Sequence, residues 1–254
     1  MKNELEYIRK KYIKPYPRYC YSNQSVADLL LEVLNNATPS NRPDFYYLKN
    51  NTCYICEHFQ FDASKTTRKG SSFKRAEKNA DRQIDKKTIS VLKSTKYNND
   101  SVTNCGSFYE NIECSQNKYF WKDNFIKNFE SHYLNLKEYQ ENLIQQNIIN
   151  KHTKIKNIFV IEDTTELGAF LSKDSNSVCY PISFEFGIKL INNATAIDYV
   201  IFLNSTTKVM VFTHKNEYKD MKTKFNFSKT EMFFFNNISK ITSIVAIPKQ
   251  LLKK

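Results

Sequence analysis

The stretch Arg42-Pro43-Asp44-Phe45-Tyr46-Tyr47-Leu48, then Lys49-Asn50-Asn51, then Thr52-Cys53-Tyr54-Ile55-Cys56-Glu57-His58-Phe59-Gln60-Phe61 decides how this chain is read. The residues after Pro43 are β-prone, and Lys49-Asn50-Asn51 has turn chemistry. The second run alternates, with Ile55, Phe59 and Phe61 on one face and Cys56, His58 and Gln60 on the other. Together they predict a β-hairpin. Asp44 stands at the start of its first strand and Glu57 within its second. Opposed residues on neighbouring strands have Cβ atoms about 5 Å apart, so a suitable register brings the two carboxylates within reach of each other. Such a pair suits a hard divalent cation. Mg²⁺ takes oxygen ligands, keeps several waters, and is held by one or two carboxylates together with substrate phosphates. A metal there polarises a phosphodiester and supplies a hydroxide nucleophile.

Working outward, Val26, Leu29, Leu30, Val33 and Leu34 follow helical spacing behind Ser25, which reads as an N-cap, so 26–35 is predicted to be an amphipathic helix ended by Asn35-Asn36-Ala37-Thr38-Pro39. On the other side, Phe73, Ala76, Ala80, Ile84 and Val91 form one stripe of a helix over 71–93. Arg75, Lys78, Arg82 and Lys86 fall on its opposite side. Residues 94–118 are polar and turn-rich and predict a loop or insertion. A third helical pattern spans 122–149. Strand signals follow at 157–162, 198–203, 208–213 and 241–247, with a helix at 183–193 between them. This order predicts an α/β fold, a mixed central β-sheet flanked by helices, in a single domain over 1–254.

With helix, Asp strand, Glu strand and basic helix in that order, residues 25–93 resemble the PD-(D/E)XK nuclease superfamily, the restriction-endonuclease-like fold, whose core runs helix, strand, strand, strand, helix, strand. The resemblance implies a metal-dependent nuclease that hydrolyses DNA phosphodiesters. Asp44 takes the place of the motif Asp and Glu57 that of its second acid, both holding Mg²⁺ (or Mn²⁺). The motif lysine is replaced by Phe59. Superfamily members can bring the lysine from the following helix, which makes Lys74 and Lys78 the catalytic candidates, and Glu32 would be an extra acid from the first helix. The rival reading keeps the fold but makes the protein an inactive binder of nucleic acid or of an acidic protein. A third is an interaction protein of unrelated α/β fold.

The charge bears on the partner. The 254 residues carry 38 basic and 26 acidic side chains, a net +12, and the segment Lys65–Lys96 holds 11 of the basic residues against Glu77, Asp81 and Asp85. This clustering predicts nucleic acid, which the resemblance makes DNA in preference to RNA, contacted by Arg68, Lys69, Arg75, Lys78, Arg82 and Lys86. The ladder Lys74, Lys78, Arg82, Lys86 costs about 0.2–0.5 kcal/mol per like-charge pair, relieved in part by the three acids, so a merely solvated face is the plain alternative.

Other classes are excluded by composition. At 41% hydrophobic and 14% aromatic the chain can build a core, so global disorder is excluded. No apolar run approaches the roughly 18–20 residues of a bilayer span, and the charged start Met1-Lys2-Asn3-Glu4 lacks a signal-peptide core, which predicts a cytoplasmic protein without a membrane partner. Cys53-x-x-Cys56 with His58 has the residue types of a zinc site, but in a regular strand the two thiols point to opposite faces, so all six cysteines read as reduced and structural. His58 shares a face with Gln60 rather than Glu57 and reads as a hydrogen-bonded structural histidine. Glu162-Asp163-Thr164-Thr165-Glu166 reads as a strand-end turn capping a helix near Glu166, or else as acids that reach the metal site from a third strand. Phe233-Phe234-Phe235 reads as core.

Overall fold

A computed structural model describes residues 3–14, 16–21, 23–68, 70–94, 103–113, 115–165, 169–172, 180–217, 230–233 and 237–246. In chain order the elements are α1 (Glu4–Ile8, continued by a π-helical turn Arg9–Ile13), β1 (Arg18–Tyr21), α2 (Gln24–Asn36), β2 (Thr38–Pro39), β3 (Phe45–Lys49) and β4 (Thr52–Phe61). Then come β5 (Thr66–Thr67), β6 (Gly70–Ser71), α3 (Ser72–Ser94), β7 (Thr103–Glu113), α4 (Lys118–Leu134), α5 (Leu136–Gln145) and β8 (Lys154–Asp163). The chain ends with β9 (Ala169–Ser172), α6 (Glu185–Asn193), β10 (Tyr199–Asn204), β11 (Val209–His214), β12 (Thr230–Phe233) and β13 (Asn237–Ala246). They form two compact units, Met1–Ala63 with Lys118–Phe233, and Ser64–Asn117 with Phe234–Lys254.

The first unit is α/β, built on a seven-stranded mixed sheet in the order β1-β11-β10-β8-β4-β3-β2. Strands β4, β8 and β10 are mutually parallel, while β3 and β11 run antiparallel to their inner neighbours. Strands β3 and β4 form the expected hairpin. Asn50 and Asn51 take φ of 48° and 55°, the left-handed pair that a two-residue turn with the strands' own twist requires. Helices cover both faces. Leu5, Ile8 and Tyr12 of the first helical segment and Ala27, Leu30, Val33 and Leu34 of α2 pack on Phe45, Cys56, Ile158, Val160 and Ile201. On the other face Phe59 and Phe61 meet Trp121, Phe125 and Phe129 of α4. Burial on both faces explains why β8 reads Ile158-Phe159-Val160-Ile161 without alternation.

Local chemistry moves some boundaries. The cap of α2 is Asn23 instead of Ser25, its Oδ1 accepting the Ser25 N–H at 2.9 Å. The pattern expected over 122–149 is two helices, broken at Asn135, and the second ends where Asn147 turns left-handed at φ 56°.

The second unit is a long helix on a two-stranded ribbon. Strand β7 pairs antiparallel with β13 through Ile112↔Ile238 and Tyr109↔Ile241. The expectation of a loop over 94–118 is therefore corrected to a strand. Its polar residues Ser107 and Asn111 fall on an exposed face while Ile112 is buried, and that dilute alternation hid the strand. Phe73 and Ala80 of α3 pack with Ile112. Among the described residues no helix is long and apolar enough to cross a membrane.

Candidate functional site

The hairpin register carries Asp44 to the position opposite Glu57, one step beyond the Phe45↔Cys56 pair. Glu57 points to the α4–α5 side of the sheet, where it meets His132 and Tyr139, and Asp44, one residue before β3, turns its carboxylate onto the edge of β4. Strand β3 begins at Phe45, whereas β4 runs on to Phe61, leaving the edge of β4 without a strand partner from Glu57 onward. Side chains satisfy that edge. Asp44 Oδ2 accepts the His58 backbone N–H at 2.7 Å, and Asn128 and Asn124 of α4 donate to the carbonyls of Gln60 and Asp62 at 3.1 and 2.9 Å.

Glu57 is 6% exposed. Its Oε1 accepts the Tyr139 hydroxyl at 2.7 Å and is 2.8 Å from His132 Nδ1. The His132 ring stacks on Phe59, with centroids 4.8 Å apart and planes 11° from parallel. Burial pushes the Asp44 carboxyl up to about 6, and the Glu57 charge adds to the rise, against an opposing pull from the His58 N–H. That the Glu57 charge acts on Asp44 in this way puts the two acids in electrostatic contact. A cavity of about 660 Å³ opens beside Asp44, lined also by Glu4, Tyr7, His58, Phe59, Gln60 and His132.

Asp44 and Glu57 are the residues that could hold a hard cation. Asp44 uses one oxygen on His58 and Glu57 one on Tyr139 and His132, and the second oxygen of each has no protein partner among the described residues. Two carboxylate oxygens, with water and phosphate completing the shell, meet the requirement of Mg²⁺. Among the described residues no group of three or more His, Cys, Asp and Glu side chains is placed to hold a metal, so a site here rests on this pair.

The opposite face of the same strand ends holds a second polar cluster. Glu162, fully buried, accepts at Oε1 from Tyr7 (2.9 Å), Lys11 (2.7 Å) and Tyr12 (2.6 Å), and at Oε2 from Gln60 (2.8 Å). His58 Nε2 lies 3.3 Å from Glu162 Oε2, and its Nδ1 is 3.0 Å from Glu4 Oε2. Burial alone would depress the His58 pKa, but the bonds and charges of Glu162 and Glu4 outweigh it and hold the imidazolium at about 9. Burial would raise Glu162, yet His58, Lys11 and Tyr12 keep it well below the usual carboxylate range. His58 is thus a structural ion-pair member, as its face predicted. Glu162 meets His58 and not the Asp44–Glu57 pair. Its neighbour Asp163 accepts from the Trp121 indole at 2.8 Å and is pushed up to about 6 by burial.

The other candidates belong to other elements of the two units. Lys74 and Lys78 are exposed on α3 of the second unit, while Asp44 and Glu57 belong to the first. Glu32 binds Tyr47 and Lys49 at the far end of β3, so it is not part of the Asp44–Glu57 pair. Arg68, Lys78, Arg82 and Lys86 are exposed, whereas Arg75 is half-buried with its Nε donating to Ser71 O. Lys69, Lys96, Cys114, Glu166, Cys179 and Phe234-Phe235 lie outside the described residues, as do the side chains of Lys93, Cys105 and Phe233. Cys53 and Cys56 are both buried, and burial pushes the Cys53 thiol up to about 12 and the Cys56 thiol well above its ordinary value, as for inert structural thiols.

Sequence reading missed Glu4, Tyr7, Lys11 and Tyr12 because nothing marks which strand end the first helix covers, although Leu5, Ile8 and Tyr12 do keep helical spacing. His132 was findable, since it continues the Phe125, Phe129 stripe onto the face that meets Phe59. Comparison with family models, with curated proteins and with solved structures finds no match for this chain.

Proposed function

We propose that the first unit is a divalent-cation-dependent phosphodiesterase of the nuclease kind, acting on DNA, with Asp44 and Glu57 as the cation's protein ligands. The observation that carries this reading is the placement of the two acids opposite each other at the point where β3 stops and β4 continues into a cavity. Within the first unit the order α2, β2, β3, β4, α4, α5, β8, with β8 beside β4, supports a restriction-endonuclease-like core.

In this reading the chain's own groups hold the site ready. Tyr139 and His132 fix Glu57 through one oxygen and leave the other toward the cation, and the His58 N–H does the same for Asp44. Bound there, Mg²⁺ or Mn²⁺ would offset the repulsion that lifts Asp44, polarise the scissile phosphate and acidify a coordinated water. Phe59, 4% exposed, occupies the motif lysine position and aligns His132 instead of offering a cation.

That same residue favours a second reading, an inactive nuclease-fold protein, because the cavity wall contains no lysine among the described residues. Glu57→Gln separates the two. It retains a carbonyl for the Tyr139 hydroxyl, so folding and DNA affinity should stay near wild type while Mg²⁺-dependent cleavage of a labelled duplex is lost. Cleavage at the wild-type rate in Glu57→Gln overturns the catalytic reading, and wild-type binding without any cleavage, with Mg²⁺ or Mn²⁺, selects the inactive one.

A further inference from the structure

The second unit contains 15 basic and 6 acidic residues, so it carries a net +9 of the chain's +12 in less than a third of its length. It is inserted directly after β4, the strand of Glu57. Within it α3 turns Phe73 and Ala80 toward β7 and leaves Lys78, Arg82 and Lys86 exposed, with no ion-pair partner among the described residues. Other cations of the unit are engaged: Lys87 pairs with Glu110, and Arg75 bonds to Ser71. At 1.5 Å rise per residue, Lys78, Arg82 and Lys86 stand about 6 Å apart along one side of the helix. Lys65 and Arg68 of the preceding hairpin are exposed as well.

We propose that this inserted unit is a nucleic-acid docking module, and that Lys78, Arg82 and Lys86 grip the phosphate backbone of duplex DNA without reading its sequence. A duplex strand presents a phosphate every roughly 3.4 Å of its axis, so a row of cations about 6 Å apart finds phosphates in any register. An acidic polypeptide would have to match that spacing with its own side chains. The neutral side of α3 is spent on its ribbon, which leaves the cationic side for the partner.

The inference extends the partner of the proposed nuclease but does not depend on the cation site. Fluorescence anisotropy of a labelled duplex of arbitrary sequence, titrated with the full chain from 50 to 200 mM salt without divalent cation, tests it. The triple variant Lys78→Ala, Arg82→Ala, Lys86→Ala should lower the slope of log K against log salt by about 2.7, at 0.9 per phosphate contact. The wild-type advantage should therefore be roughly fortyfold smaller at 200 mM than at 50 mM. Substituting the exposed Lys10, Lys151 and Lys154 of the first unit changes net charge equally and should leave the slope near wild type. Because the titration contains no divalent cation, a failed cation site leaves it unchanged and a failed docking surface does not, so the two failures give different patterns. An unchanged slope in the triple variant, equal loss in both triples, or retention on polyglutamate with none on DNA overturns the proposal.

Discussion

Replacing Glu162 by Gln removes the anion at the centre of a buried charge cluster while keeping its shape. The carboxylate is 0% exposed and serves Tyr7, Lys11, Tyr12 and Gln60 at 2.6–2.9 Å, with His58 at 3.3 Å. In the variant the His58 and Lys11 cations lose their shared counter-ion, and the amide turns a donor toward a set of donors. Breaking a buried pair from one side costs about 3–5 kcal/mol. At about 2–4 °C per kcal/mol for a unit of this size, Tm should fall by roughly 10 °C or more. The wild type should also lose stability in a defined pH window. The folded pKa of His58, about 9, lies above its ordinary 6.5, so its contribution is complete below pH 6.5 and disappears as pH rises through 9. A shift of that size is worth about 3 kcal/mol. The one tryptophan, Trp121, is buried in the same unit, so its fluorescence in urea titrations reports the unfolding directly. A Glu162→Gln chain within about 1 kcal/mol of wild type, or a wild-type midpoint that stays flat from pH 6.5 to 9.5, would refute the argument.

Phe59→Ala should cost about 3–5 kcal/mol in urea unfolding, since the ring packs on Phe129, His132 and Phe159. Trp121→Phe keeps most of the volume but leaves Asp163 without its indole donor, so a loss of about 1–3 kcal/mol is expected by thermal denaturation. Gly187→Ala places a Cβ 2.1 Å from the Pro181 carbonyl oxygen, and overpacking of that kind should lower stability by about 1–3 kcal/mol or more, read by the same denaturation.

The strands were legible because their patterns are strong. The hairpin 44–61, the apolar run of β8 and the branched and aromatic residues of β10 and β11 appear within a few residues of their predicted places. The opposition of Asp44 and Glu57 was only half legible: Lys49-Asn50-Asn51 marked the hairpin, but the register is set by the two left-handed residues Asn50 and Asn51, which the sequence left open. What surrounds the pair was not legible. His132 and Tyr139 reach Glu57 from 75 and 82 residues away, and Glu4 reaches His58 across 54, contacts set by helix placement over the sheet and not by spacing along the chain. The second unit was half visible: its helix has a clear apolar stripe, while β7 spreads few apolar residues along a two-stranded ribbon and reads as polar loop.

Calorimetric titration of Mn²⁺ into the full chain tests the Asp44–Glu57 pair most directly. The wild type should bind the ion, and Asp44→Asn and Glu57→Gln, with Trp121 fluorescence unchanged, should each bind it about tenfold or more weakly. Equal Mn²⁺ affinity in the wild type and both variants would contradict the account.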